Sequence, residues 1–312
     1  MGHLVLIAAE LERLLEPDQL AGLDVTWLPT AQPTPSGDYV ALVPLLSRWV
    51  GGSELKRLPR LKIVANCAVG HDNVDVVAAE MRRVTVTNTP DVLTDATADL
   101  AWALILACAR HVVPGAQLVQ SGSWTGWHPE LLLGIELRGR TLGLFGAGRI
   151  GQAVGRRAVP FGMRILYTAR NPRPDFERES GAVRVEFSRL LKESDVLSLH
   201  APSVPETKGI INADALRHMK PGGILINTAR GDLVREEALA QALEEGRLGG
   251  AGLDVYLEEP AVHARLRAAP RTVLLPHIGS ATLETRRQMA TIAVANVQAV
   301  LKGDPPLTPV FG

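Results

Sequence analysis

Short apolar runs, each broken at small or polar residues and followed by a spaced apolar stripe, recur along most of the chain. In the N-terminal third, Leu4–Ala8, Val25–Leu28, Tyr39–Val43, Leu61–Ala65 and Val84–Thr87 read as strands. A helix follows the first run, others lie near Ser53–Leu58 and Val74–Met81, and a proline-rich loop spans Gln32–Gly37. Strands alternating with helices predict a parallel sheet covered on both faces. A long apolar helix comes next, Ala98 to about His111, with Thr94-Asp95-Ala96-Thr97 as its cap. Its lack of a polar face predicts a place between domains. The strand rhythm resumes at Thr141–Phe145 and runs through Arg164–Thr168, Val183–Val185, Val196–Leu199, Gly223–Asn227, Gly252–Val255 and Val273–Leu275. The last helix, about Leu283–Leu301, aligns Met289, Ile292, Ala293, Val297 and Leu301 on one stripe and is expected to cross back onto the first sheet. The fold class predicted is α/β: two doubly wound parallel-sheet domains, residues 1–97 plus 284–312 and residues 98–283, with a cleft between them.

Composition narrows the partners. With 312 residues, 46% of them hydrophobic, the chain can bury two cores. Its formal net charge of zero, with both signs interspersed, argues against a nucleic-acid or anionic-membrane surface. No apolar run reaches the ~18 residues of a membrane span, and acidic residues interrupt the N-terminal apolar stretch, so a cytoplasmic location is expected. Cys67 and Cys108 sit in apolar surroundings as expected buried thiols, and no cluster of residues has metal-ligand spacing.

One stretch carries more chemistry than pattern. Thr141–Phe145 leads directly into Gly146-Ala147-Gly148-Arg149-Ile150-Gly151, and an amphipathic stripe of Ile150, Val154 and Ala158 follows. Gly146 permits a tight turn out of the strand, Gly148 lets backbone approach a pyrophosphate, and Gly151 lets the helix pack on the strand. The helix start points amides and its positive dipole end at phosphate. The following strand ends at Thr168 with no acid before Asp175 to accept a ribose hydroxyl; Arg170 and Arg173 stand there instead, which favours a 2′-phosphate.

Three later segments lie at strand ends, where open α/β sheets bind ligands. They contain Arg230, the pair Glu258 and Glu259, and His277. Each has a plainer reading: Arg230 as a helix cap or a partner of Asp232, either glutamate as a solvated loop acid, His277 as an ordinary loop histidine. Together behind a dinucleotide fold they suggest one site.

Gly-Ala-Gly-Arg-Ile-Gly, Asn227-Thr-Ala-Arg-Gly-Asp232, Gly252-Leu-Asp-Val with Glu259-Pro260, and Pro276-His-Ile-Gly-Ser-Ala-Thr282 occur in this order, with Ala68-Val-Gly-His-Asp-Asn-Val-Asp75 upstream. The chain thereby resembles the D-isomer-specific 2-hydroxyacid dehydrogenase family over nearly its whole length, within it most closely the glyoxylate/hydroxypyruvate reductases. The resemblance implies a flavodoxin-like substrate domain, a Rossmann cofactor domain, and Arg230, Glu259 and His277 as the catalytic set. It implies substrate contacts from Val69, Gly70, Arg230, Ser280 and Trp127, and cofactor contacts from Gly146, Gly148, Arg149, Ile150, Gly151, Arg170, Arg173, Pro202, Thr228, Asp254 and Gly279. The expected reaction is reduction of a small 2-oxo acid to the D-2-hydroxy acid, with NADP(H) preferred, NAD(H) the alternative and no metal. A protonated His277 suits proton donation to the developing alkoxide, and the charge of Glu259 would favour the imidazolium. Arg230 offers a planar donor fork that Lys cannot copy. Ser123–Pro129 resembles part of a dimerisation arm, implying a homodimer in which Trp127 reaches the neighbour's substrate. Competing expectations are a phosphoglycerate dehydrogenase and a dinucleotide-sensing protein like the C-terminal-binding corepressors; Glu259 argues against formate dehydrogenases of this superfamily, which carry Gln there.

Overall fold

Two parallel sheets carry the chain in a computed structural model that describes residues 2–310. They belong to two units, Met1–Leu93 with Ser280–Gly312, and Thr94–Gly279.

In the first unit the strands are β1 (His3–Ala8), β2 (Leu23–Leu28), β3 (Ala41–Val43), β4 (Ile63–Ala65) and β5 (Thr85–Thr87), in the order β2-β1-β3-β4-β5. All pairs are parallel, and side-chain alternation sends Val5 and Ile7 to one core and Leu6 to another on the opposite face. Burial on both faces explains why these strands read as continuous apolar runs. The last helix, Leu283–Lys302, lays Met289, Ala290, Ala293, Val294 and Val297 into the first of these cores. It opens with Thr282, whose side chain accepts the Thr285 amide, and closes at Gly303 in the left-handed region. The helix expected after β1 is instead two 3₁₀ turns, Ala9–Leu14 and Pro17–Leu20. Pro17 lacks an amide donor, and only Leu11 in the pair is buried, so no continuous α-helix is supported.

In the second unit the strands are β6 (Thr141–Phe145), β7 (Arg164–Thr168), β8 (Val183–Arg184), β9 (Val196–Leu199), β10 (Ile224–Asn227), β11 (Gly250–Leu253) and β12 (Thr272–Leu274). Their order, β12-β11-β10-β9-β6-β7-β8, reverses direction between β6 and β9, the switch point at which a doubly wound sheet opens a crevice for a ligand. The apolar helix begins at Thr94 and ends at Ala109, so Thr94–Thr97 form its first turn rather than a preceding cap. It packs within this unit, on β10, β11 and the helix Arg149–Ala158. Its exposed face carries Asp95 and Asp99, both paired with Arg157 at 2.9 and 2.8 Å, which the all-round apolar reading overlooked. Asp195 joins two strands: it accepts the Thr141 amide at 2.8 Å and pairs with Lys220 at 3.0 Å.

Cys67 and Cys108 are buried, and burial pushes both thiols up to about 12. Among the described residues no single helix is long and apolar enough to cross a membrane; Thr94–Ala109 and Val112–Gln120 would suffice only as a pair, and that pair is bent by 67°.

Candidate active site

At the switch point, β6 delivers Phe145 into Gly146, whose φ is 99°. A Cβ there would come within 2.7 Å of the backbone of His200 and Ala201, so the residue must be glycine on both conformational and steric grounds. One turn on, a Cβ at Gly151 would strike the Gly146 carbonyl, whereas one at Gly148 would meet nothing within 4 Å. Gly148 therefore faces open space at the N-terminus of the helix Arg149–Ala158, where no side chain caps the first-turn amides. Arg149 is exposed, and Ile150 is half-buried against the core of this unit. Below the turn, His200 Nε2 lies 2.8 Å from Ser198 Oγ, and burial pushes the imidazole down to about 3, leaving it neutral. Pro202 is exposed, its carbonyl accepting the Thr207 hydroxyl at 2.7 Å. The Thr228 hydroxyl is buried and has no hydrogen-bond partner among the described residues. An open cradle of uncapped amides at the glycine turn fits the pyrophosphate of a dinucleotide.

The end of β7 sorts the two arginines. Arg173 Nε donates to the Ala147 carbonyl at 3.0 Å, which latches its loop to the glycine turn, and its amide donates to the buried Tyr167 hydroxyl at 2.8 Å. Arg170 is exposed, and among the described residues its guanidinium has no hydrogen bond or ion pair. Asp175 is turned to Arg178 at 2.5 Å, and Glu177 accepts the Tyr167 hydroxyl. The acids beyond β7 are thus engaged with protein partners.

Arg230, Glu259 and His277 follow β10, β11 and β12, three neighbouring strands. His277 Nδ1 lies 2.7 Å from Glu259 Oε2, with both side chains about one-third exposed (35% and 34%). The second oxygen of Glu259 accepts the Tyr256 amide at 3.0 Å. Burial raises the Glu259 carboxyl, but the hydrogen bonds from His277 and Tyr256 and the charges of His277 and Arg230 outweigh it and hold the group below its ordinary value. Among the described residues Glu258 makes only a backbone bridge to Ala261, so geometry separates two glutamates that were equivalent in the sequence. Asp232 accepts the Ser203 hydroxyl and lies 3.7 Å from Lys208.

Each arm of this set has its own brace. Asn227, buried at the end of β10, donates to the Arg230 carbonyl at 2.8 Å and accepts the Ala229 amide. At Gly231 a Cβ would collide with the Tyr256 backbone, so glycine brings the Arg230 and Glu259 loops together. Buried Glu236 accepts the Leu257 amide at 2.8 Å, and the Tyr256 hydroxyl donates to the Leu275 carbonyl at 2.9 Å. His277 has φ of 54°, a left-handed conformation costly for a residue with a Cβ. Asp254 holds it there: its two oxygens accept the Ile278 and Gly279 amides, each at 2.8 Å, while the Gly279 carbonyl accepts the Thr97 hydroxyl. Burial pushes the Asp254 carboxyl up, with those two amides pulling against it.

In the first unit, Val69 and Gly70 are half-buried on the loop after β4, and Ser280 is half-buried with its carbonyl accepting the Thr282 amide. Three successive carbonyls of this loop are taken. Ala68 O accepts the Thr89 amide at 2.9 Å, Val69 O accepts Asn88 Nδ2 at 2.8 Å, and Gly70 O accepts Asn66 Nδ2 at 2.8 Å. Among the described residues the Val69 and Gly70 amides donate to no protein acceptor. In the second unit, Trp127 is 82% exposed on a segment that also exposes Val112, Val119, Trp124 and Leu133.

The sequence reading missed Asn66, Asn88, Asn227, Glu236 and His200. For Asn66, Asn88, Asn227 and His200 the available signal was a polar residue ending or directly following a strand, whereas Glu236 opens the helix Glu236–Glu244 and had no such signal. The NAD binding domain of D-isomer specific 2-hydroxyacid dehydrogenases matches residues 102–279, more than half of the chain. The glyoxylate reductase of Thermococcus litoralis is 51% identical over 270 residues, 85% of this chain and 82% of that protein. A solved structure from Thermus thermophilus superposes with a TM-score of 0.90 at 46% identity, covering 99% of this chain and 100% of that one. An NADPH-dependent glyoxylate/hydroxypyruvate reductase from Sinorhizobium meliloti, solved with NADP and malonate, gives 0.87 at 36% identity over 99% and 96% of the two chains. With a dinucleotide turn at the switch point and an imidazole-carboxylate pair beyond the neighbouring strands, the chain belongs to the D-isomer-specific 2-hydroxyacid dehydrogenase family of oxidoreductases.

Proposed function

We propose that the protein reduces glyoxylate or hydroxypyruvate to the corresponding D-2-hydroxy acid in the cytoplasm, using NADPH in preference to NADH. The observation that carries this reading is the 2.7 Å contact between His277 Nδ1 and Glu259 Oε2 within reach of the Arg230 charge. A nicotinamide dinucleotide bound at the glycine turn supplies hydride to C2 of the 2-oxo acid. An ionised carboxylate only accepts, so Nδ1 carries its hydrogen toward Glu259 and Nε2 is left to hold the proton that the developing alkoxide takes up. Arg230 contributes a fixed positive charge and a fork of donors for the carboxylate and ketone oxygens. Val69 and Gly70 offer two amides to the substrate carboxylate, and Ser280 of the same unit adds a hydroxyl. The small-acid choice is supported by the glyoxylate reductases among the relatives, and the NADPH choice by the unengaged Arg170. Absorbance at 340 nm with glyoxylate, hydroxypyruvate, pyruvate or phosphohydroxypyruvate and each reduced cofactor is the direct test. The highest kcat/KM is expected for glyoxylate or hydroxypyruvate with NADPH; a preference for phosphohydroxypyruvate, or no turnover with any acid, overturns the proposal.

The same reading includes a homodimer built on the exposed apolar arm, with Trp127 closing the neighbouring subunit's substrate site. Sedimentation should show a dimer for both wild type and Trp127→Ala, and the variant should alter the ratio of kcat/KM between glyoxylate and a bulkier 2-oxo acid. A stable Trp127→Ala dimer with unchanged preference would reduce this residue to an ordinary interface tryptophan.

A further inference from the structure

We infer that Asn88, held in place by the C-terminal segment through Thr308, is a positioning residue that aims the Gly70 amide at the substrate carboxylate. The inference rests on the proposed role of Val69 and Gly70 and adds to it the part that orients them. In a trans peptide unit the carbonyl and the amide hydrogen point in opposite directions. Anchoring Val69 O on Asn88 Nδ2 therefore turns the Gly70 amide to the opposite side, and anchoring Ala68 O on the Thr89 amide does the same for Val69. Two adjacent amides without protein acceptors thus face one way, a concave donor pair of the kind that binds an anion. Without these anchors either peptide could flip and present a carbonyl to the carboxylate, converting attraction into repulsion.

Asn88 is itself fixed from both sides by one residue. Its amide donates to Thr308 O at 3.2 Å, and its carbonyl accepts the Thr308 hydroxyl at 2.6 Å. Thr308 is fixed in turn by Asn296, a fully buried residue of the last helix. Asn296 Nδ2 donates to Thr308 Oγ1 at 2.8 Å, and its Oδ1 accepts the Leu307 and Thr308 amides. The segment continues along the edge of β5, where the Val310 amide donates to Val86 O. The two ends of the first unit's chain thereby meet at one asparagine, whose side chain reaches the substrate loop.

The test compares Asn88→Leu, which removes the donor while keeping the branching of the side chain, with Thr308→Val, which removes the hydroxyl that donates to the Asn88 carbonyl and accepts from Asn296 Nδ2. Steady-state kinetics with glyoxylate and saturating NADPH, NADPH titration by fluorescence and thermal melts are run on each. Asn88→Leu should raise the glyoxylate KM roughly 3- to 10-fold, the scale of one lost hydrogen bond, with kcat within about two-fold and NADPH binding unchanged. Thr308→Val should shift KM in the same direction by less. A lowered melting temperature with wild-type KM in both variants would mean a structural role only and overturn the inference, and if Asn88→Leu does not fold, the KM of Thr308→Val decides alone. Failure of the wild type to reduce any 2-oxo acid would instead overturn the proposed function, so the two failures are distinguishable.

Discussion

His277→Ala is expected to lose about 10²- to 10⁴-fold in turnover, the range for removing a general acid, while NADPH binding stays close to wild type. The separation follows from the structure: His277 pairs with Glu259 beyond β12, whereas the glycine turn stands on β6 at the switch point. Glu259→Gln removes the negative charge with little change of shape and should cost less, because an amide oxygen can still accept from Nδ1. That variant also has a pH signature in stability. The folded-state carboxyl lies below its ordinary value, so its contribution is present above the unfolded value of about 4.3 and is lost as pH falls through the folded value. The gap in melting temperature between wild type and Glu259→Gln should therefore be widest near neutrality and shrink in acid. A His277→Ala enzyme within a few-fold of wild type, or a melting gap that widens in acid, would remove this pair from its assigned roles.

Much of this is legible in the sequence alone, and the reason differs from place to place. Buried parallel strands read as uninterrupted apolar runs, so Thr141–Phe145 and Val196–Leu199 are recovered to the residue. The glycine turn is legible because conformation and close approach leave no other residue at Gly146. Sequence leaves Glu258 and Glu259 equal, since neighbours on a loop share composition and only the fold decides which one meets an imidazole. The cap before Ala98 is misplaced: Thr94–Thr97 already lie inside the helix, where Asp95 and Asp99 both bind Arg157, a partner distant in sequence. Asp254 stands out by its motif, yet its grip on the Ile278 and Gly279 amides cannot be read from spacing. Asn88 has no periodicity to announce it; its partners lie nineteen residues back and 220 residues on.

Arg170→Ala should weaken NADPH binding roughly 10- to 150-fold, about 1.5–3 kcal/mol for one charge-assisted phosphate contact, and leave NADH binding within a few-fold. The selectivity is expected because the Arg170 guanidinium is exposed and engages no protein group among the described residues, so truncating it disturbs nothing that both cofactors share. Arg184 holds the main chain there, donating to the Ala169 and Arg170 carbonyls, which keeps the loop in place when the side chain is removed. Arg173→Ala should behave differently. Arg173 Nε donates to Ala147 O inside the glycine turn, so its loss loosens the turn that receives the pyrophosphate of either dinucleotide, and both affinities should fall. Dissociation constants for the two cofactors, measured by fluorescence with each variant, give four numbers that separate these roles. A wild type that binds NADH more tightly than NADPH, or an Arg170→Ala change of equal size for both, would leave Arg170 a surface charge and move the choice of cofactor elsewhere in the β7 loop.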